Sequence, residues 1–167
     1  MISDKMRDAI NVQQNAELYS AYLYLSMAAY FESGGLKGFA GWMKAQAQEE
    51  VMHAMKFYNY LALQGARIKM LPIEGPQTEW GSPVGVFEYT LKHEQKVTAL
   101  INGLVDLAKS EKDEASDSFL QWFVKEQIEE EESAGKALQK TRDAGGDPQV
   151  LASVGDELGR RRSVFSK

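Results

Sequence analysis

The sequence contains one pattern of metal-type ligands twice, each time as a lone carboxylate followed by a pair of polar side chains three residues apart. The six side chains are Glu17, Glu50, His53, Glu94, Gln127 and Glu130. In both halves, 33 residues separate the lone carboxylate from the first member of the pair. Residues three apart share a helix face, so each half offers one ligand from one helix and two from the next. The spacing predicts four long helices whose polar positions meet inside a bundle.

Composition narrows the class of protein. A chain of 167 residues is expected to form one domain over 1–167, and 44% hydrophobic residues are enough for a substantial core. The net charge of −5 argues against nucleic-acid binding and favours a protein that handles cations. With no cysteine, the sequence excludes disulfides, thiolate zinc sites and iron–sulfur clusters.

Neither a secretory signal nor a membrane span is predicted. The N-terminal residues 1–7 mix acidic and basic side chains, and no apolar run follows them directly. No stretch of 18 uncharged apolar residues occurs anywhere in the chain. We therefore expect a soluble, cytoplasmic protein without membrane partners.

Capping and breaking signals predict an all-α fold with a short C-terminal helix. The expected elements are four bundle helices at about 3–32, 36–64, 83–110 and 113–142, a fifth helix at about 147–158, and a basic tail at 159–167. Residues 65–82 contain prolines and glycines but no helical period. Fully extended, such a segment reaches roughly 60 Å, which exceeds the roughly 42 Å of a 28-residue helix. We interpret it as a crossover that makes the second and third helices run parallel.

The glutamates in the pattern interrupt apolar helix faces. Glu50 lies between Ala47 and Ala54 on one stripe, and Glu94 lies between Leu91 and Val97 on another. A single helical glutamate is usually solvated, but burying several unpaired carboxylates together costs several kcal/mol. A shared cation removes that cost, and carboxylates with one imidazole suit Fe(II), Mn(II) or Zn(II). The geometry is that of a carboxylate-bridged di-iron site.

The two histidines receive different interpretations. His53 follows Glu50 by three residues and shares its helix face, which favours a ligand role. His93 adjoins Glu94, and neighbouring residues on a helix point about 100° apart. We therefore predict that His93 is not a ligand.

The repeat, the crossover, the short fifth helix and the block Glu17–Tyr24 together resemble a bacterial or archaeal non-haem ferritin, of the ferritin-like superfamily, over essentially the whole chain. The resemblance implies a five-helix subunit in a hollow 24-subunit homo-oligomeric shell, with a ferroxidase centre in each subunit. It also implies the roles of the ligands. Glu17, Glu50 and His53 bind one iron and Glu50 bridges to the second, which Glu94 and Glu130 bind beside Gln127.

Other family positions also find matches. The resemblance implies a third iron site near the inner surface, whose matching residues are Glu49, Glu126, Glu129 and Glu130. It also places Tyr24 beside the di-iron centre, in a hydrogen-bonding or electron-donating role. The plain interpretations are a solvated acidic run over 129–132 and an ordinary core tyrosine.

Two departures from related families favour iron storage over a stable di-iron cofactor and argue against haem. Di-iron oxidases and bacterioferritins repeat Glu–x–x–His in the fourth helix, where this chain has Gln127–x–x–Glu130. Bacterioferritins also place a haem-ligating methionine directly after the first frame's glutamate, where this chain has Val51, so no haem is expected.

The hypothesis is an iron-storage ferritin subunit that oxidises Fe(II) with O₂ and stores Fe(III) as mineral. One alternative is a stoichiometric di-iron oxidase or oxygenase of the same fold. The other is a metal-free helical assembly protein whose contacts use outer aromatic residues such as Tyr19, Tyr22 and Tyr30.

Overall fold

The computed structural model describes residues 2–160, and that part of the chain forms five α-helices. They are α1 (Asp4–Ser33), α2 (Lys37–Leu63), α3 (Pro83–Glu111), α4 (Glu114–Asp143) and α5 (Pro148–Gly159). The predicted all-α architecture is confirmed, and each predicted helix end lies within about one residue of the observed one. Of the predicted basic tail at 159–167, Gly159 is the last residue of α5, and residues 161–167 lie outside the described part of the chain.

Side-chain caps fix where the helices begin. The hydroxyl of Ser3 accepts a hydrogen bond from the backbone N–H of Met6 at 3.0 Å, and Ser82 accepts one from Gly85 at 3.0 Å. The first bundle helix ends at a glycine pair, where Gly35 has a φ of +73°. Glycine adopts this left-handed conformation without the strain that a Cβ would cause, so the chain can turn sharply into α2.

Two apolar clusters, one at each end of the bundle, establish the helix directions. The first joins the end of α1, the start of α2, the start of α3 and the end of α4, through Phe31, Phe39, Phe87 and Leu138. The second joins the opposite ends of the same helices, through Met6, Leu61, Leu104 and Leu120. Helices α2 and α3 therefore run in the same direction, while α1–α2 and α3–α4 are antiparallel pairs.

The segment between α2 and α3 crosses the length of the bundle along α1. Near its start, the side-chain amide of Asn11 donates to the carbonyl of Arg67 at 3.1 Å and accepts from the N–H of Lys69 at 2.6 Å. Further along, the hydroxyl of Ser26 donates to the carbonyl of Gln77. The segment thus follows about 22 Å of α1, which is the crossover that the sequence predicts.

Helix α1 keeps apolar side chains on its outer face. Tyr22 is 51% exposed and Leu25 is 50% exposed, so the all-round apolar character of this helix is not satisfied within one chain. In the described part of the chain, no helix is both long enough and apolar enough to cross a membrane.

Helix α5 docks on the start of α2 through glycines, which makes this contact sensitive to a single methyl group. A Cβ added at Gly38 would lie 2.1 Å from the backbone carbonyl carbon of Gly155. We expect Gly38→Ala to displace α5, at a cost of roughly 1–3 kcal/mol, while the bundle stays folded. Faster hydrogen exchange confined to α5 would show this displacement. Gly103→Ala is the control, because nothing lies within 4 Å of its added Cβ. Unchanged protection of α5 in Gly38→Ala would contradict the tight docking.

Candidate metal centre

Each of the four bundle helices contributes one fully buried carboxylate to the middle of the bundle. Glu17 of α1, Glu50 of α2, Glu94 of α3 and Glu130 of α4 are exposed by only 1, 2, 1 and 2%. Among residues 2–160, no lysine or arginine is buried with them. The centre therefore concentrates negative charge without a fixed side-chain cation from Lys or Arg to balance it.

Two overlapping groups of side chains have the spacing of a metal site. Ligand atoms of Glu17, Glu50 and His53 all lie within 4.8 Å of one another, and the same holds for His53, Glu126 and Glu130. His53 belongs to both groups. Glu94 belongs to neither group, although the charges of Glu130 and Glu17 contribute to raising the pKa of its carboxyl group.

The His53 ring lies between the two groups. Its Nδ1 is 3.3 Å from Oε2 of Glu50, and its Nε2 is 3.8 Å from Oε1 of Glu126. Burial lowers the pKa of His53, but the neighbouring carboxylates Glu126 and Glu50 outweigh this effect and raise it well above its ordinary value. In the metal-free protein these carboxylates favour the protonated imidazole, and a metal ion that binds one of its nitrogens would displace a proton.

Two buried amides donate hydrogen bonds to candidate ligand carboxylates, and the carboxylate pattern alone predicts neither contact. Nε2 of Gln13 donates to Oε1 of Glu17 at 2.9 Å, and Nε2 of Gln46 donates to Oε2 of Glu130 at 2.8 Å. A signal exists in the sequence, because these glutamines precede Glu17 and Glu50 by four residues each and are 33 residues apart. They belong to the same internal repeat as the candidate ligands.

Glu94 is held by donors on both carboxylate oxygens. The hydroxyl of Tyr24 donates to Oε1, and Nε2 of Gln127 donates to Oε2 at 3.2 Å. Burial, followed by the charge of Glu130, raises the pKa of Glu94 to about 8. Burial also raises the pKa of Tyr24 well above its ordinary value, so Tyr24 keeps its proton and remains a donor.

Two further buried carboxylic acids, Glu17 and Glu50, also have raised pKa values. Burial raises the pKa of Glu17, and burial together with the charges of Glu94 and Glu17 raises that of Glu50 well above its usual range. Within the described residues, Oε2 of Glu17 is buried and has no hydrogen-bond partner. A bound cation would satisfy this oxygen and stabilise the ionised carboxylates, so the donor set fits a metal ion.

The residues predicted for a third iron site are only partly brought together. Glu126 is half-buried and, with Glu130, falls in the second ligand group. Glu49 is also half-buried, whereas Glu129 is exposed, and neither belongs to a ligand group among the described residues.

The second histidine is buried but lies outside both ligand groups. Nε2 of His93 is 2.8 Å from the hydroxyl of Ser20, and its ring meets the edge of the Tyr24 ring at a centroid distance of 6.0 Å. Burial, assisted by the charge of Lys96, lowers the pKa of His93 to about 4. The imidazole is therefore neutral at pH 7 and hydrogen-bonded within the core, a burial that the helical angle alone does not predict.

Comparison with known proteins identifies the family to which this chain belongs. A family profile described as a ferritin-like domain matches residues 7–144. The chain belongs to the ferritin family. A bacterial non-heme ferritin of Bacteroides fragilis is 47% identical over 161 residues, which covers 96% of this chain and 100% of that protein. A bacterial non-heme ferritin of Staphylococcus aureus is 35% identical and covers 96% and 97%, respectively.

Solved ferritin structures agree with the fold. An open-pore ferritin of the hyperthermophilic archaeon Archaeoglobus fulgidus superimposes with a TM-score of 0.95 at 51% identity. The match covers 97% of this chain and 100% of the archaeal one. The resemblance to non-haem ferritins and the predicted bundle with a short fifth helix are therefore confirmed.

Proposed function

We propose that this ferritin binds Fe(II) at the buried centre, oxidises it with O₂ and stores Fe(III) mineral inside a hollow homo-oligomeric shell. The observation that carries the proposal is the set of four buried carboxylates and one imidazole, with no buried lysine or arginine among the described residues. Such hard oxygen ligands with one nitrogen suit Fe(II). The non-heme ferritin relatives support iron as the metal.

The proposed roles follow the two faces of the centre. Glu17 and His53 hold the first iron, Glu50 bridges, and Glu94 with Glu130 holds the second iron. The compact group of Glu17, Glu50 and His53 supports the first position. The hydrogen bonds from Tyr24 and Gln127 hold the Glu94 carboxylate in one orientation, which supports its proposed role at the second iron position.

We also propose a third iron site. Its proposed ligands are Glu49, Glu126, Glu129 and Glu130. Because Glu126 and Glu130 form a ligand group with His53, these two glutamates are the ones favoured to receive iron that leaves the centre.

The proposed oxidation requires that the added charge on the irons is stabilised and that protons reach the reduced O₂. Each of two Fe(II) ions loses one electron, and one O₂ takes up both electrons with two protons to give H₂O₂. The carboxylates stabilise the extra positive charge on the oxidised irons. Storage as mineral further requires that Fe(III) leaves the centre for the cavity.

A shell, proposed to contain 24 subunits, supplies that cavity. The exposed apolar side chains of α1, including Tyr22 and Leu25, support burial against a second copy of the chain. A shell elutes far earlier from a sizing column than a dimer does, which separates storage from a small oxidase or a small helical assembly.

We expect the purified apoprotein to take up far more than two irons per chain when Fe(II) is added stepwise in air. One di-iron site saturates at about two, whereas a mineral store does not. Ferric absorbance and soluble iron per chain provide the measurement. Saturation near two would instead identify a stoichiometric di-iron enzyme, and oxidation no faster than in buffer would exclude a working centre.

A further inference from the structure

A chain of hydrogen bonds leads from Glu94 to the edge of the bundle. Nε2 of Gln127 faces three acceptors, which are the Glu94 carboxylate at 3.2 Å, the Glu94 backbone carbonyl at 3.2 Å and Oγ1 of Thr98 at 3.3 Å. The Thr98 hydroxyl in turn donates to Oε1 of Glu131 at 2.6 Å. Glu94 and Thr98 are one turn apart on α3, and Gln127 and Glu131 are one turn apart on α4. Gln127 therefore bridges two successive turns of the facing helix.

The direction of these bonds fixes the orientation of the Gln127 amide. A hydroxyl has a single proton, and Thr98 gives it to Glu131, an acceptor when ionised. Thr98 can then offer Gln127 only lone pairs, which the amide nitrogen can meet and the amide oxygen cannot. Rotating the amide by 180° would set its oxygen against the lone pairs of Thr98 and of the Glu94 backbone carbonyl. The rotated amide would turn its oxygen toward the Glu94 carboxylate and repel it.

We propose that Thr98 and Glu131 are positioning residues that fix the Gln127 amide and, through it, hold Glu94 ready for the second metal ion. Neither residue belongs to a ligand group among the described residues, and both are half-buried. The inference rests on the proposed function only in taking Glu94 as a metal ligand. Outer partners of this kind typically contribute tenfold or more to metal affinity.

The test is a calorimetric titration of the assembled apoprotein with Zn(II), which binds without redox chemistry. The class of sites that disappears in Glu94→Ala identifies the second position. Thr98→Val keeps the side-chain shape and removes the hydroxyl, so we expect it to weaken that class by roughly tenfold and leave the first class unchanged. Thr98→Ser restores the hydroxyl and should restore the affinity.

Two further variants sharpen the result. Glu131→Ala should weaken the same class as Thr98→Val, whereas Glu132→Ala should not, because Glu132 is exposed and paired with Lys136. Equal affinities in Thr98→Val and the unaltered protein, a uniform loss at both classes, or no recovery in Thr98→Ser would each overturn the inference. If the unaltered protein bound no Zn(II) at all, the proposed function would fail with it.

Discussion

Glu50→Ala is expected to slow Fe(II) oxidation by at least roughly 100-fold while the proposed shell stays assembled. Glu50 lies with Glu17 and His53 in one ligand group, and its pKa is raised by burial and by the charge of Glu94. It is the carboxylate proposed to bridge both irons, so its loss affects both positions at once. The shell should persist because Glu50 is buried inside its own bundle and not on an outer face.

His53→Ala should behave in the same way, since His53 is the only histidine in either ligand group of the described residues. Stopped-flow ferric absorbance gives the rate, and size-exclusion chromatography reports assembly. Glu88→Ala is a matched control, because Glu88 is an exposed bundle carboxylate paired with Arg142 on the surface. Fast oxidation retained in both Glu50→Ala and His53→Ala would overturn the assigned site.

The sequence predicts the fold well because its signals are local. Serine caps such as Ser3 and Ser82, and the glycine pair after α1, specify helix ends through contacts within one turn. The crossover follows from two features of residues 65–82, which lack a helical period and are long enough to span the bundle. None of these predictions depends on which side chains face one another across the core.

The environment of the candidate site depends on side-chain contacts between different helices, which local sequence signals do not specify. The repeat predicts that Glu17, Glu50, Glu94 and Glu130 meet, and the structure brings them together, although their roles stay proposals. It does not predict that Gln46 of α2 donates to Glu130 of α4, since helical spacing gives a direction but not a partner. The same limit applies to His93, whose neighbour Ser20 lies 73 residues away in sequence.

The metal-free protein is expected to lose stability as the pH rises from about 5 to about 8. Burial raises the pKa of Glu94 from 4.5 to about 8, and it also raises the pKa of Glu17. The folded state therefore keeps protons that the unfolded state releases above pH 4.5, so the free energy of unfolding falls across this window. His53 acts in the same direction, because its raised folded-state pKa makes its contribution decline as the pH rises through that value.

Glu17→Gln should therefore stabilise the metal-free protein at alkaline pH. The amide oxygen keeps the hydrogen bond from Gln13, and the new NH₂ group can donate to Glu50. The gain is partly offset because the attraction between Glu17 and His53 is lost. We expect the midpoint of heat denaturation to rise by about 5 °C at pH 8 and by less than about 2 °C at pH 5.

Metal should reverse the order of stability of the two proteins. Zn(II) binds the folded state of the unaltered protein more tightly, so it should raise that midpoint by more than it raises the midpoint of Glu17→Gln. Calorimetric scans at both pH values, with and without Zn(II), give the four comparisons. Glu157→Gln should show no such pattern, because Glu157 is exposed and paired with Lys140. A metal-free Glu17→Gln protein less stable than the unaltered one at pH 8 would mean that the protein itself, and not a cation, stabilises the Glu17 charge.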